Sequence, residues 1–149
     1  MSDAIEEKKD FSCLLATYEW EYHKNSNDIT ILNKFFWHNT KEKNANSWTK
    51  HTDRNMVGAI HDIQGFDLRY AGVILGDTVI YENNKVCFSK KNREKELIHQ
   101  GRLPENKEEA ARLIANEVRV LLTRGKNGLF IYPKDNSLHQ KMVESLPDK

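Results

Sequence analysis

The chain has 149 residues, 38% hydrophobic and 30% charged, and its 23 Lys and Arg nearly balance 22 Asp and Glu. That length fits one domain with a core of its own, without help from disulfides or metals. A net charge of +1 excludes a strongly basic nucleic-acid tail, so any nucleic-acid contact must come from a local patch. No apolar stretch approaches the roughly 18 residues that span a bilayer. The polar start from Met1 to Asp10 has no apolar segment of the kind a secretory signal needs. Cys13 and Cys87 stand far apart, outside any C-x-x-C pair, and read as small reduced hydrophobes in a soluble, cytoplasmic protein.

Residues 1–10 form a polar lead-in, and residues 11–149 read as a single α/β domain. The apolar run at 11–17 is long enough for a buried strand. Residues 23–54 are rich in Asn, Lys and Thr and predict a loop-rich insertion carrying a strand or two. The runs at 56–60 and 71–75 are nearly continuous hydrophobe without alternation, which is how strands covered on both faces of a parallel sheet read. Residues 78–82 and 85–88 flank Asn83-Asn84, whose tolerance of positive φ predicts a small antiparallel hairpin.

Lys90, Lys91, Arg93, Lys95 and Arg102 then crowd a stretch whose acidic residues are Glu94 and Glu96. The stretch is either a solvated face or a phosphate-tracking patch. Asn106 caps the clearest helix, with Glu109 placed to close a capping box. Ala111, Ile114, Ala115, Val118, Leu121 and Leu122 give that helix one apolar stripe, and Gly125 offers a left-handed stop. A strand at 129–132, ended by Pro133, and an amphipathic helix at 137–146 complete the chain. This order of strands and helices predicts an α/β domain with a mostly parallel sheet.

Self-contained chemistry is scarce. Gly125-Lys126 resembles the end of a phosphate loop, but Val120 stands where such a loop has glycine and Asn127 replaces its hydroxyl residue. The apolar strand ending at Gly76-Asp77 looks like a magnesium-binding strand only superficially. The histidines at 23, 38, 51, 61, 99 and 139 show no H-E-x-x-H or paired-Cys spacing, so no metal site is expected. No G-x-S-x-G elbow is present either.

Two segments remain: His61-Asp62-Ile63-Gln64-Gly65-Phe66-Asp67 with the strand behind it, and Leu121-Leu122-Thr123-Arg124-Gly125 at a helix end before another strand. Singly, the first reads as a turn and Arg124 as a cation at the negative end of a helix dipole. In this order they resemble motifs V and VI of superfamily 1 helicases. The segments IHDIQGFDLRYAGVILGDTVIYENNKV and EVRVLLTRGKNGLFIYPKD look like the C-terminal region of an uncharacterised P-loop ATPase family, a domain of unknown function. That family is related to RecD-type and UvrD-type helicases and to the schlafen group. The resemblance runs from about Leu14 to Met142.

The resemblance implies a RecA-like three-layer lobe with helices on both faces of the sheet and a small added hairpin. By position, Arg124 corresponds to the arginine finger that reaches the γ-phosphate from the second lobe. Gln64 and Gly65 shape the motif V turn, and Asp67 stands where many relatives carry a ribose-binding Glu. His61 and Thr123 support these groups from behind. ATP and Mg²⁺ are then bound only in the complete two-lobe enzyme, because the phosphate loop belongs to an N-terminal ATP-binding lobe on the same or another chain. The chain alone is expected not to hydrolyse ATP. Single-stranded nucleic acid is the further expected partner, with Lys90, Lys91, Arg93 and Arg102 as phosphate contacts and Trp37 and Trp48 as stacking rings, unless the tryptophans simply pack under the long loop. The alternative is a non-catalytic interaction or regulatory module that keeps the fold.

Overall fold

The computed structural model describes residues 12–20, 31–38, 55–63, 65, 67–90 and 103–147. Their elements are β1 (Ser12–Ala16), β2 (Phe36–Trp37), β3 (Met56–Gly58), β4 (Leu68–Leu75), β5 (Val79–Glu82), β6 (Lys85–Phe88), α1 (Lys107–Leu122), β7 (Gly125–Pro133) and α2 (Asn136–Glu144). Five strands form one sheet in the order β2-β3-β1-β4-β7, and every neighbouring pair is parallel. The architecture is therefore α/β with a parallel central sheet, as the unalternating apolar runs predict. The lead-in at 1–10 and most of the 23–54 insertion lie outside the described residues.

The sheet carries apolar packing on both faces of its central strands. Alternation in β1 and β4 sends Leu15, Ala71, Val73 and Leu75 to one side, where Ile114, Val118 and Leu121 of α1 and Leu138 of α2 meet them. Ala16 and Ile74 point the other way and pack with Val57, Trp37 and Ile31. Both described helices thus contribute to the same core. Among the described residues the opposite face is packed by Ile31, Leu32 and Phe35 from the turn before β2, not by a helix. The expected helices on both faces are not seen in this part of the chain.

Local chemistry explains the elements. Asn106 Oδ1 accepts hydrogen bonds from the backbone N–H groups of Glu108 and Glu109, at 2.9 and 3.1 Å, satisfying two orphan donors of α1. The helix buries Ala110, Ile114, Val118 and Leu121, so its stripe starts at Ala110 rather than Ala111. β5 and β6 pair antiparallel around Asn83 (φ 53°) and Asn84 (φ 60°), the two positive angles that suit a two-residue turn to the twist of its strands.

Gly125 departs from expectation. It does not stop α1 in a left-handed conformation; Thr123 (φ −96°, ψ 2°) caps the helix. Gly125 instead opens β7, which begins four residues earlier than the apolar run at 129–132 suggests. The sheet captures the chain at once, because Leu68 N–H donates to Arg124 O at 2.9 Å. The register then slips between Leu68↔Gly125 and Tyr70↔Gly128, a bulge that places one extra residue on β7. A side chain at Gly125 has no room there: a Cβ would lie 2.3 Å from Gly128 O.

Candidate functional site

Because β4 and β7 are parallel neighbours, the residues that lead into them share the N-terminal rim of the sheet. Asp67 directly precedes β4, and Arg124 directly precedes β7. Two backbone-directed bonds fix the end of α1. Arg124 Nε donates to Val120 O at 3.2 Å, and Thr123 Oγ1 donates to the same carbonyl at 3.1 Å. Arg124 is half-buried. Its anchor is a carbonyl of its own helix end, which accepts a hydrogen bond without neutralising the guanidinium.

Asp67 is exposed, and its carboxylate pairs with Lys126 Nζ at 2.7 Å. The hydrogen bond from Lys126, the charge of Lys126 and then the charge of Arg124 hold the Asp67 carboxyl below its usual value of 3.8. Gly65 adopts φ +83°, a backbone conformation that makes a sharp turn and favours glycine. Gln64 lies outside the described residues. In the sequence Lys126 stands out only as the end of an incomplete phosphate loop, not as the partner of Asp67; a basic residue two positions beyond Arg124 on an opening strand is the available signal.

His61 is not part of this cluster. It follows the C-terminal end of β3, edge-on to Tyr18 at 6.2 Å, and Tyr18 follows the C-terminal end of β1. In a parallel sheet that is the opposite rim. The same rim holds a pair the sequence did not reveal: His38 Nδ1 lies 3.2 Å from Asp62 Oδ1, with both side chains nearly buried. Asp62 Oδ2 also accepts the Ala59 N–H at 2.7 Å, which closes the turn after β3. Trp37 is 7% exposed and stacks on Tyr18 at 5.4 Å, so its ring is a core element rather than an open platform for a base. Lys90 Nζ donates to Glu105 O at 2.9 Å, tying the end of the hairpin region to the entry of α1. Lys91, Arg93, Arg102 and Trp48 lie outside the described residues.

The C-terminal rim also contains the place where open α/β sheets usually bind ligands, the crevice at which strand order reverses. Here that point falls between β1 and β4. The chain fills it with its own groups. Glu19 Oε1 accepts from Thr78 N at 3.1 Å and Thr78 Oγ1 at 2.9 Å, and Gly76 N donates to the Thr17 hydroxyl at 2.9 Å. Glu19 packs so closely on Gly76 that a Cβ there would meet its carboxylate. Asp77, next to this plug, forms an ion pair with Lys134.

Comparison with known proteins bears on this arrangement. Residues 1–135 match the family described as the schlafen group 3 DNA/RNA helicase domain. The chain belongs to that schlafen helicase-domain family. It is also 31% identical, over 96% of its own length, to the uncharacterised protein YPL245W of Saccharomyces cerevisiae. The schlafen-type chain spans about a third (34%) of that relative's length. No solved structure matches it. Among its described residues no helix is long and apolar enough to cross a membrane.

Proposed function

We propose that this schlafen-type domain is the second RecA-like lobe of a superfamily 1 helicase-like ATPase, and that its N-terminal rim closes on ATP held by another lobe. The observation that carries the reading is the meeting of Asp67, Arg124 and Lys126 on that rim. The plugged crevice on the opposite rim supports it, since the position most used for ligands in such sheets is taken by Glu19.

The residues suit a nucleotide. Two cations around one carboxylate present net positive charge to a polyphosphate, and Arg124 holds its guanidinium by Nε alone among its described bonds. The Nη groups are then available to a phosphate in the planar, forked geometry that guanidinium offers. ATP with Mg²⁺, bound in the complete two-lobe enzyme, supplies the phosphoryl group. Arg124 acts as the arginine finger, stabilising charge on the phosphoryl oxygens. Asp67, kept ionised by Lys126, is a pure acceptor suited to a ribose hydroxyl. Gly65 shapes the turn that delivers it, and Gln64 is the motif residue assigned to sensing the nucleotide. Thr123 positions the helix end, while His61 acts at most through the loop joining the rims. Lys90, Lys91, Arg93 and Arg102 contribute phosphate contacts to single-stranded nucleic acid, in an enzyme working in the cytoplasm.

The test is reconstitution. The chain alone is expected to show no ATP turnover. Mixed with a lobe that carries the phosphate loop, it is expected to produce turnover that neither part shows. Absence of any gain, with both parts folded and associated, would overturn the motor reading in favour of a non-catalytic interaction module.

A further inference from the structure

Among the described residues β7 is the outermost strand on its side of the sheet, and its open edge is nine residues long. One hydrogen bond fixes which backbone groups that edge offers. Lys134 N–H donates inward to Leu75 O at 2.8 Å. By strand alternation Phe130 and Tyr132 also turn their amides toward β4, whereas Leu129 and Ile131 turn theirs outward. Pro133 shares the outward parity and has no N–H to leave unpaired. On the face opposite the Ile114 and Leu121 core the same strand exposes Phe130 (69%) and, with its ring centroid 6.5 Å from that of His139 in α2, Tyr132 (54%). Both rings line an apolar groove of about 450 Å³ that reaches Leu14, Phe35 and Ile74. A long edge strand with unpaired amides beside exposed aromatics is what soluble proteins normally blunt or cover.

We propose that two copies of this chain pair antiparallel along β7, continuing the sheet across a two-fold axis near Leu129 and Phe130. The strand is self-complementary in that geometry. With the axis at Leu129, Phe130 of one copy falls opposite Gly128 of the other; with the axis at Phe130, Tyr132 takes that place. Either way a ring covers a position without a side chain, the pairing by which aromatics shield strand glycines. Tyr70 already leans over Gly128 from β4, so the incoming ring meets an aromatic neighbour. The reciprocal fit favours a second copy over an unrelated extended peptide, which would use the same edge without the return match. An antiparallel join sends the two Arg124 rims to opposite ends of the combined sheet, so the pairing stands apart from the nucleotide reading.

Sedimentation velocity across a concentration series, with amide hydrogen exchange at each concentration, tests this. The chain should dimerise reversibly. Leu129 and Ile131 amides should gain protection as the dimer forms, while Phe130 and Tyr132 amides stay protected throughout. Leu129→Pro removes an outward donor and leaves the inward ladder intact; it should weaken the dimer by about tenfold or more, since one bond is lost from each copy. Phe130→Lys should do the same by placing charge in the apolar seam. A monomer at every concentration, a dimer indifferent to both variants, or protection at Leu129 and Ile131 that appears only with added peptide would each overturn the proposal. If a variant fails to fold, the exchange pattern of the unaltered chain decides.

Discussion

Replacing Gly125 with Ala adds one methyl group where the chain leaves α1 and enters β7. The new Cβ would stand 2.3 Å from Gly128 O and 3.0 Å from Ala71 N, both backbone atoms. Carbon normally approaches a carbonyl oxygen no closer than about 3.3 Å, so the ladder must open by about 1 Å. Overpacking of this kind costs about 1–3 kcal/mol, and weakening the adjacent Leu68–Arg124 hydrogen bond adds about 1 kcal/mol. We therefore expect Gly125→Ala to lose about 2–4 kcal/mol in urea unfolding monitored by circular dichroism. Gly128→Ala is the control on the same strand. Its Cβ meets Tyr70 Cδ1 at 2.7 Å, but that ring is 36% exposed and has room to swing aside. It should cost less than about 1 kcal/mol. Equal losses at the two glycines, or a loss at Gly125 below about 0.5 kcal/mol, would refute the bulge as a tight backbone crossing.

Removing the α1 cap by Asn106→Ala should cost about 1 kcal/mol in the same assay, because two backbone donors lose their acceptor. Ile114 is fully buried against the sheet, and Ile114→Ala should cost about 2–5 kcal/mol through the cavity it leaves. Asp67 titrates below 3.8 in the folded chain. Its pairing with Lys126 is thus complete above the unfolded value and is lost as pH falls through the lowered folded value. Carboxyl NMR should show Lys126→Met moving the Asp67 midpoint up toward 3.8, and no movement would rule out Lys126 as the main cause.

Legibility in the sequence followed the physics of each segment. The hairpin was readable because Asn83-Asn84 between two apolar runs combines turn chemistry with strand patterning. The helix was readable because its cap and its stripe agree. β4 begins at Leu68 rather than 71, since Arg69 and Tyr70 are exposed at the rim and break the apolar run before the strand ends. β7 was cut short for the same reason: Gly125, Lys126 and Asn127 look like loop residues, and only pairing with β4 makes them strand. The two motif segments announced Asp67 and Arg124 by their order, but not that His61 would end on the far rim. Sequence adjacency hides the fact that β3 ends and β4 begins on opposite rims of a parallel sheet. The His38–Asp62 pair was invisible because its members are joined only through β2 and β3 standing side by side.

The account depends most on Arg124, whose backbone joins the sheet rim beside Asp67 and whose side chain is anchored to Val120 O. The most direct measurement is kcat for ATP hydrolysis by the proposed two-lobe assembly with Arg124→Ala, beside the same assembly unaltered. The account predicts a fall of about 10³–10⁵-fold, the range associated with arginine fingers, with the fold and the association of the lobes retained. Turnover within a fewfold of the unaltered enzyme would contradict it.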